Sequence, residues 1–213
     1  MVLYIFLGYL DCKMLKPRTS DTIEDIVALG NHESLARTQF KGRINLREYP
    51  DLPKFHADDT YKVKRFNIPN EKDVIDYTAS LGEICNEARH TGRHERLFSG
   101  LYEALRNAHQ HGNQKDSEKA IEIAYRPITD GFEVVVSDEG GKLDASFIPF
   151  ILMHRQGMLR PLSFYDFAPD TQRLEENTGN GTFVIHMSAD EVNYFINYAG
   201  GLSVQMIVKI SEK

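Results

Sequence analysis

The sequence has no tryptophan, two cysteines and no excess of positive charge. Two cysteines, Cys12 and Cys85, are too few for a disulfide framework or a cysteine-rich zinc site, which favours a reducing, cytoplasmic compartment. The 213 residues include 25 Lys and Arg against 31 Asp and Glu, for a formal charge of −6. Because proteins that coat DNA or RNA need a basic surface, this balance argues against a nucleic-acid partner.

An apolar segment long enough to span a membrane is also missing. The apolar run 2–10 is about half of the ~20 residues that cross a bilayer, and it has no basic region of the signal-peptide type. We therefore expect no membrane partner and interpret this run as a buried strand or an association surface. Since exposed apolar strands tend to pair, an association surface here would favour a homodimer.

The overall composition is that of an ordinary folded protein, with 41% apolar and 26% charged residues. The length suits one domain with an appendage. We divide the chain into an N-terminal extension of unknown role, 1–60, and a main domain, 61–213. Within the extension, a Ser cap followed by apolar residues at helical spacing predicts a helix over 20–29.

Apolar periodicity in the main domain predicts an α+β fold. The predicted elements are a strand over 61–68, helices over 71–89 and 97–112, a hairpin over 120–137, a short helix from near Thr182 and a hairpin over 192–210. This order predicts a two-layer sandwich in which helices cover one mixed β-sheet.

The first polar motif lies on the second predicted helix. At about 100° per residue, Glu103, Asn107 and His111 fall on one stripe, about a third of a turn from the apolar residues. A carboxylate in such a place can accept a proton, and a carboxamide oxygen can bind a hard cation such as Mg²⁺. By itself the pattern also fits a helix with an ordinary solvated face.

The second motif is an acidic residue at the end of a predicted strand, followed by glycines. Asp138 ends the strand, and Gly140 would let a flat ligand approach the backbone closely. An ionised carboxylate accepts hydrogen bonds but donates none, so it would select a ring edge with an amino group, such as that of adenine. Asp and Gly are also common in plain turns, which is the alternative for this segment.

The third motif is a Gly-x-Gly loop, Gly179 to Gly181, that leads into the short helix near Thr182. Exposed N–H groups and the helix dipole make the N-terminus of a helix suitable for anions such as phosphates. The loop matches neither the Rossmann nor the Walker pattern, and an isolated Gly-x-Gly also fits a purely structural loop.

Taken in order, the three motifs resemble those of the GHKL ATPases, the superfamily of gyrase, histidine kinases and mismatch-repair ATPases. Within it, the segment 61–213 is most similar to the serine-protein-kinase anti-sigma factors. Residues 103–111 resemble their N-box, 138–144 their first glycine box, and 179–192 their second glycine box with the helix after it. The resemblance implies a Bergerat-type ATP-binding fold with an ATP lid over about 142–178.

The resemblance also implies ATP and Mg²⁺ as cofactors and a role for each motif residue. Asn107 would ligate the Mg²⁺ ion, and Glu103 would polarise the attacking water or hydroxyl. Asp138 would bind the amino group of adenine, beside Gly140, which allows the base to approach. The other residues implied in nucleotide binding are His111, Gly179, Gly181 and Thr182.

The function that the resemblance implies is that of an ATP-binding regulatory kinase of anti-sigma type. It would transfer the γ-phosphoryl group to a Ser or Thr of a partner protein, and it would bind a regulatory partner such as a sigma factor or its antagonist. One alternative is an ATP-binding regulatory module without turnover, favoured by Thr182 and Leu202, which replace an aliphatic residue and a Thr of the family pattern. The other is a detached catalytic domain of a two-component histidine kinase.

Overall fold

The computed structural model describes residues 43–45, 54–68, 77–144 and 179–210. The elements are β1 (Arg43–Asn45), β2 (Lys54–Phe55), β3 (Lys62–Asn67), α1 (Thr78–Glu87), α2 (His94–Asn107), β4 (Ala120–Ile128), β5 (Gly131–Asp138), β6 (Lys142–Asp144), α3 (Gly181–Ser188), β7 (Glu191–Asn197) and β8 (Leu202–Lys209). A 3₁₀ turn, Ala88–Thr91, lies between α1 and α2, and a π turn, Ala108–Gly112, continues α2.

Six strands form the main sheet, in the order β2-β7-β8-β5-β4-β3. The strand β2 runs parallel to β7, and the other pairs are antiparallel. The sheet is therefore mixed, as predicted. Within it, β5 pairs with β8 from Gly131 opposite Lys209 to Ser137 opposite Ser203. The end of β5, at Asp138, consequently lies beside the start of β8.

The helices α1, α2 and α3 pack on one face of this sheet and share one hydrophobic core with it. Phe132, Val134 and Val136 of β5 alternate toward this face and are buried, as a period of two requires. Leu101 and Leu105 of α2 are fully buried in the same core. Burying each large side chain contributes roughly 1.5–3 kcal/mol. The predicted two-layer α+β sandwich is confirmed.

The bounds of the described elements follow the predicted ones closely. The strand predicted over 61–68 is β3, and the two predicted hairpins are β4–β5 and β7–β8. The third helix begins at Gly181, one residue before the predicted start. The helix predicted over 97–112 begins earlier, at His94, and its last five residues form the π turn. Of the helix predicted over 71–89, the structure describes the part from residue 77 onward.

The sequence pattern does not predict the short strands β1, β2 and β6. Although β2 lies within the range 1–60, it joins the main sheet through β7. The strand β1 pairs with β6 in a separate two-stranded sheet, at the start of the predicted lid. Strands of two or three residues are too short to show the alternation of apolar and polar residues by which a strand is predicted. The predicted helix over 20–29, the apolar run 2–10 and the rest of the lid, 145–178, lie outside the described residues.

No helix within the described ranges has both the length and the apolar character needed to cross a bilayer.

The face of the sheet away from the helices holds a buried carboxylate, Glu133, which is 4% exposed. Its Oε1 accepts hydrogen bonds from Tyr61 Oη, at 2.7 Å, and from Gln205 Nε2. Its Oε2 accepts a bond from Arg126 Nε at 2.9 Å, and the Arg126 guanidinium lies 4.1 Å from the centre of the Tyr61 ring. Since Tyr61 comes just before β3, these contacts fasten the segment between β2 and β3 to the middle of the sheet.

Tyr61→Phe is expected to lower the free energy of unfolding by about 1–2 kcal/mol, because it removes a hydrogen bond to a buried carboxylate. Burial and the bond to Glu133 also raise the pKa of Tyr61 above its usual value of 10. The phenol therefore contributes stability that is present below about pH 10 and lost as the pH rises toward the folded-state pKa. The wild type should lose stability above about pH 10 more steeply than the variant.

Urea unfolding at neutral and alkaline pH measures both effects. The control is Tyr102→Phe, at a partly buried position packed against the core. An equal loss of unfolding free energy in the two variants, or no loss in Tyr61→Phe, would contradict the role given to the bond with Glu133.

Candidate functional site

Glu103 and Asn107 lie next to each other on α2, beside the first residue of α3. A Cβ atom on Gly181 would lie 2.9 Å from Glu103 Oε2, and 3.1 and 3.2 Å from Asn107 Nδ2 and Oδ1. Both side chains therefore pack directly against this glycine. The structure thus brings the first predicted motif into contact with the third, although the two are far apart in the sequence.

The position of these two side chains follows from the amphipathic pattern of α2. Its apolar residues, Leu101 and Leu105 among them, face the sheet, and the four-residue spacing stacks Glu103 and Asn107 along the adjacent stripe. The helices α2 and α3 approach closely at Gly100, where a Cβ atom would lie 2.5 Å from Ser188 Cβ. This contact is made by the last residue of α3, and the contact at Gly181 is made by its first residue, so the helix lies along α2 over its whole length.

The loop before α3 turns at Gly179, whose φ of 73° is a left-handed conformation that favours glycine. The helix then begins at Gly181, and the side chain of the next residue, Thr182, is buried, with 3% exposure. The carboxylate of Glu103 lies at this end of α3, where the helix dipole stabilises an anion. The third motif is therefore a glycine turn that leads into a helix, as the sequence predicts, while its use as an anion site stays a prediction.

Asp138, the residue of the second motif, ends β5 and is 6% exposed. Its Oδ1 accepts a hydrogen bond from the backbone N–H of Gly140 at 2.8 Å and from that of Leu202 at 3.3 Å. Two donors from different segments therefore fix the orientation of the carboxylate.

Three glycines surround Asp138, and none of them has room for a Cβ atom. On Gly112 a Cβ would lie 2.3 Å from Asp138 Oδ2, and on Gly201 it would lie 2.0 Å from the carbonyl oxygen of Asp138. On Gly140 it would lie 1.8 Å from the carbonyl oxygen of Gly112. The end of α2, the loop after β5 and the β7–β8 turn therefore meet at one acidic side chain.

The π turn changes the position of His111 relative to the stripe that the sequence predicts. From Ala108 onward the bonding runs over five residues, and the Asn113 N–H donates to the Ala108 carbonyl at 2.7 Å. Residues four apart no longer stack on one face in such a turn. As a result His111 is exposed, while Asn107 packs against Gly181 and Gly112 against Asp138.

The segment 107–112 joins two clusters of contacts, one at Gly181 and one at Asp138. Asn107 belongs to the cluster at Gly181, and Gly112 belongs to the cluster at Asp138. They are five residues apart in the chain, at the two ends of the π turn. A ligand with a base at one end and phosphates at the other would meet both clusters along this edge of α2.

Residues 62–208 match the model of the histidine kinase-like ATPase domain. This range covers more than half of the chain and contains both clusters. The chain belongs to the histidine kinase-like ATPase family. The predicted place in the GHKL superfamily is therefore confirmed, whereas the anti-sigma subfamily stays a prediction. A comparison with curated proteins finds no match.

The histidine kinase-like ATPase domain implies binding of ATP, usually with Mg²⁺, and the donor set fits both ligands. Mg²⁺ prefers oxygen ligands and keeps several waters beside the phosphates it binds, so the amide oxygen of Asn107 suits it. Within the described ranges, no group of three or more His, Cys, Asp and Glu side chains is placed to hold a metal ion. The amide oxygen of Asn107 is the group that would hold the ion.

Sequence reasoning gave no role to Asn113, which follows the π turn. It is 1% exposed, its Oδ1 accepts a bond from the Glu139 N–H at 2.8 Å, and its Nδ2 donates to the Ala120 carbonyl at 3.0 Å. It thereby ties the end of α2 to the loop after Asp138. In the sequence, Gly112 and Asn113 indicate only the end of a helix, and nothing there distinguishes them from an ordinary stop.

Gly112→Ala is expected to weaken nucleotide binding by roughly 10-fold or more, because the new Cβ would displace the held carboxylate of Asp138. The matched control is Gly82→Ala within α1, where a Cβ would meet nothing within 4 Å. That change should stabilise the fold by about 0.5–1 kcal/mol and leave binding unchanged. Calorimetric titration with ATP and thermal unfolding measure the two quantities. Wild-type affinity in Gly112→Ala would contradict the assigned contact.

Proposed function

We propose that this chain binds ATP with Mg²⁺ and transfers the γ-phosphoryl group to a Ser or Thr of a regulatory partner protein, as an anti-sigma kinase does. The observation that carries the proposal is the contact of Glu103 and Asn107 with Gly181. A carboxylate that can accept a proton and an amide oxygen that can bind a cation thus lie at a helix N-terminus, where phosphates bind.

Recognition of the base is assigned to Asp138. The bonds from the N–H groups of Gly140 and Leu202 set the direction in which its carboxylate accepts another hydrogen bond. Since an ionised carboxylate does not donate, it selects an amino group over a carbonyl at the edge of the base. The bond from Leu202 comes from its backbone, so a Leu in place of the family's Thr keeps this contact. The replacement therefore leaves Asp138 oriented, which weakens the case for a module without turnover.

Binding of the phosphates is assigned to the loop before α3 and to the first turn of that helix. Gly179 and Gly181 present backbone without side chains, and the helix dipole favours negative charge there. Thr182 would contribute its backbone N–H, since its side chain is buried. Asn107 would hold Mg²⁺, which when bound neutralises charge on the phosphate oxygens.

Glu103 is the proton acceptor in the proposed reaction. The bond from the γ-phosphorus to the oxygen shared with the β-phosphate breaks, and a bond forms to the hydroxyl oxygen of the partner's Ser or Thr. Glu103 takes the proton of that hydroxyl, and ADP leaves. Arg106 Nη1 lies 3.6 Å from Glu103 Oε1, and this partly exposed ion pair helps to hold the carboxylate beside Gly181.

Asp138→Asn is expected to weaken binding of ATP by roughly 10- to 100-fold, because a buried, charged acceptor for the base is lost. Isothermal titration of the full chain with ATP and Mg²⁺ measures the change. Asp130→Asn, in the β4–β5 turn, is the control and should bind as the wild type does. If both variants bind ATP equally well, Asp138 does not read the base.

Incubation with γ-labelled ATP, Mg²⁺ and candidate partner proteins tests the transfer. The wild type should place acid-stable label on a Ser or Thr of the partner. Glu103→Gln cannot accept the proton and removes a negative charge beside the phosphates. It should therefore bind ATP at least as tightly as the wild type but transfer the label at least about 100-fold more slowly. The control is Glu95→Gln, at an exposed position in the first turn of the same helix. Acid-labile label would indicate a histidine kinase instead, and binding without any label would indicate a non-catalytic module.

A further inference from the structure

A buried asparagine connects the β7–β8 turn to the residue assigned to the base. Asn197, the last residue of β7, is 6% exposed. Its Nδ2 donates to the backbone carbonyl of Asp138 at 2.8 Å, and its Oδ1 accepts from the N–H of Gly201 at 2.9 Å. One side chain therefore bonds to both segments that meet at Asp138.

These two bonds help to position the N–H of Leu202, the residue after Gly201. The backbone of Asn197 also pairs with Gly201, through the Asn197 N–H and the Gly201 carbonyl at 3.0 Å. Gly201 in turn is so close to Asp138 that a Cβ on it would lie 2.6 Å from Oδ1. The next residue, Leu202, donates to that same Oδ1. If the side chain of Asn197 is removed, the turn keeps its backbone pairing but loses the bonds to the Asp138 carbonyl and the Gly201 N–H, so the N–H of Leu202 is held less firmly against the carboxylate.

We propose that Asn197 is a positioning residue for base selection, which orients the carboxylate of Asp138 through the turn at Gly201. The inference rests on the proposed function, in which Asp138 binds the amino group of adenine. Asn197 bonds to the backbone carbonyl of Asp138 rather than to the carboxylate itself. The role is separable from folding because β5 and β8 are held together beside it by another contact, the 2.6 Å hydrogen bond between Ser137 Oγ and Ser203 Oγ.

The test compares ATP with inosine triphosphate, which carries a carbonyl oxygen in place of the amino group of adenine. The wild type should prefer ATP. In Asn197→Ala the preference should fall by about 3- to 10-fold, because ATP loses an oriented acceptor and inosine triphosphate does not. Asn197→Ser adds no charge, and its hydroxyl is too short to make both bonds of the asparagine. It should show the same fall, and it serves as the second variant should Asn197→Ala not fold.

The matched control is Asn193→Ala, on the same strand and the same face, where Nδ2 donates to Gln205 Oε1 at 2.9 Å. Its preference for ATP should equal that of the wild type. An unchanged preference in both folded Asn197 variants, or equal losses of affinity for the two nucleotides, would overturn the inference while the proposed function stands. Absence of ATP binding by the wild type would instead remove the proposed function itself.

Discussion

The close approach of three backbone segments around Asp138 is the constraint on which the site depends. A carboxylate with 6% exposure needs hydrogen-bond donors, and leaving such a group without them costs several kcal/mol. Here the donors are backbone N–H groups of Gly140 and Leu202. They reach the carboxylate because Gly112 and Gly201 leave no Cβ in the way. The glycines that let these donors reach the buried carboxylate therefore also fix its orientation.

The layered fold brings these segments together. The strand β5 lies in the interior of the sheet, so its end is bordered by β8 on one side and covered by α2 from the helical layer. The π turn brings Gly112 against Asp138, and the regular helical turns before it place Glu103 and Asn107 against α3. One helix consequently contributes to both ends of the site. Its position is set by apolar packing on the sheet. This packing contributes far more to the free energy of folding than any single polar contact at the site.

Much of this arrangement could be predicted because it follows from periodicity. The alternation of apolar residues in β5 and their helical spacing in α2 predict the two layers. The order of the three motifs predicts the family. The contacts that assemble the site could not be predicted in the same way. A π turn has no sequence period of its own, and β2, with two residues, is too short to show one. Asn197 is a residue type that is common at the end of any strand before a turn. Such residues act through the neighbours that the tertiary fold supplies, and the sequence alone does not reveal those neighbours.

Charge decides how such a site can hold a nucleotide. The chain carries a formal charge of −6, so its overall field repels a polyphosphate, and the attraction must be local. One source is the N-terminus of α3, which carries about half a positive charge. The carboxylate of Glu103 lies at that same place, so in the proposed function a cation would relieve its repulsion with the phosphates. Asn107, one helical turn away from Glu103, offers a neutral oxygen that could bind such a cation. A second carboxylate there would bind a cation more strongly but would add to the repulsion. In the proposed function, the pairing of one acid with one amide would therefore make phosphate binding depend on the metal.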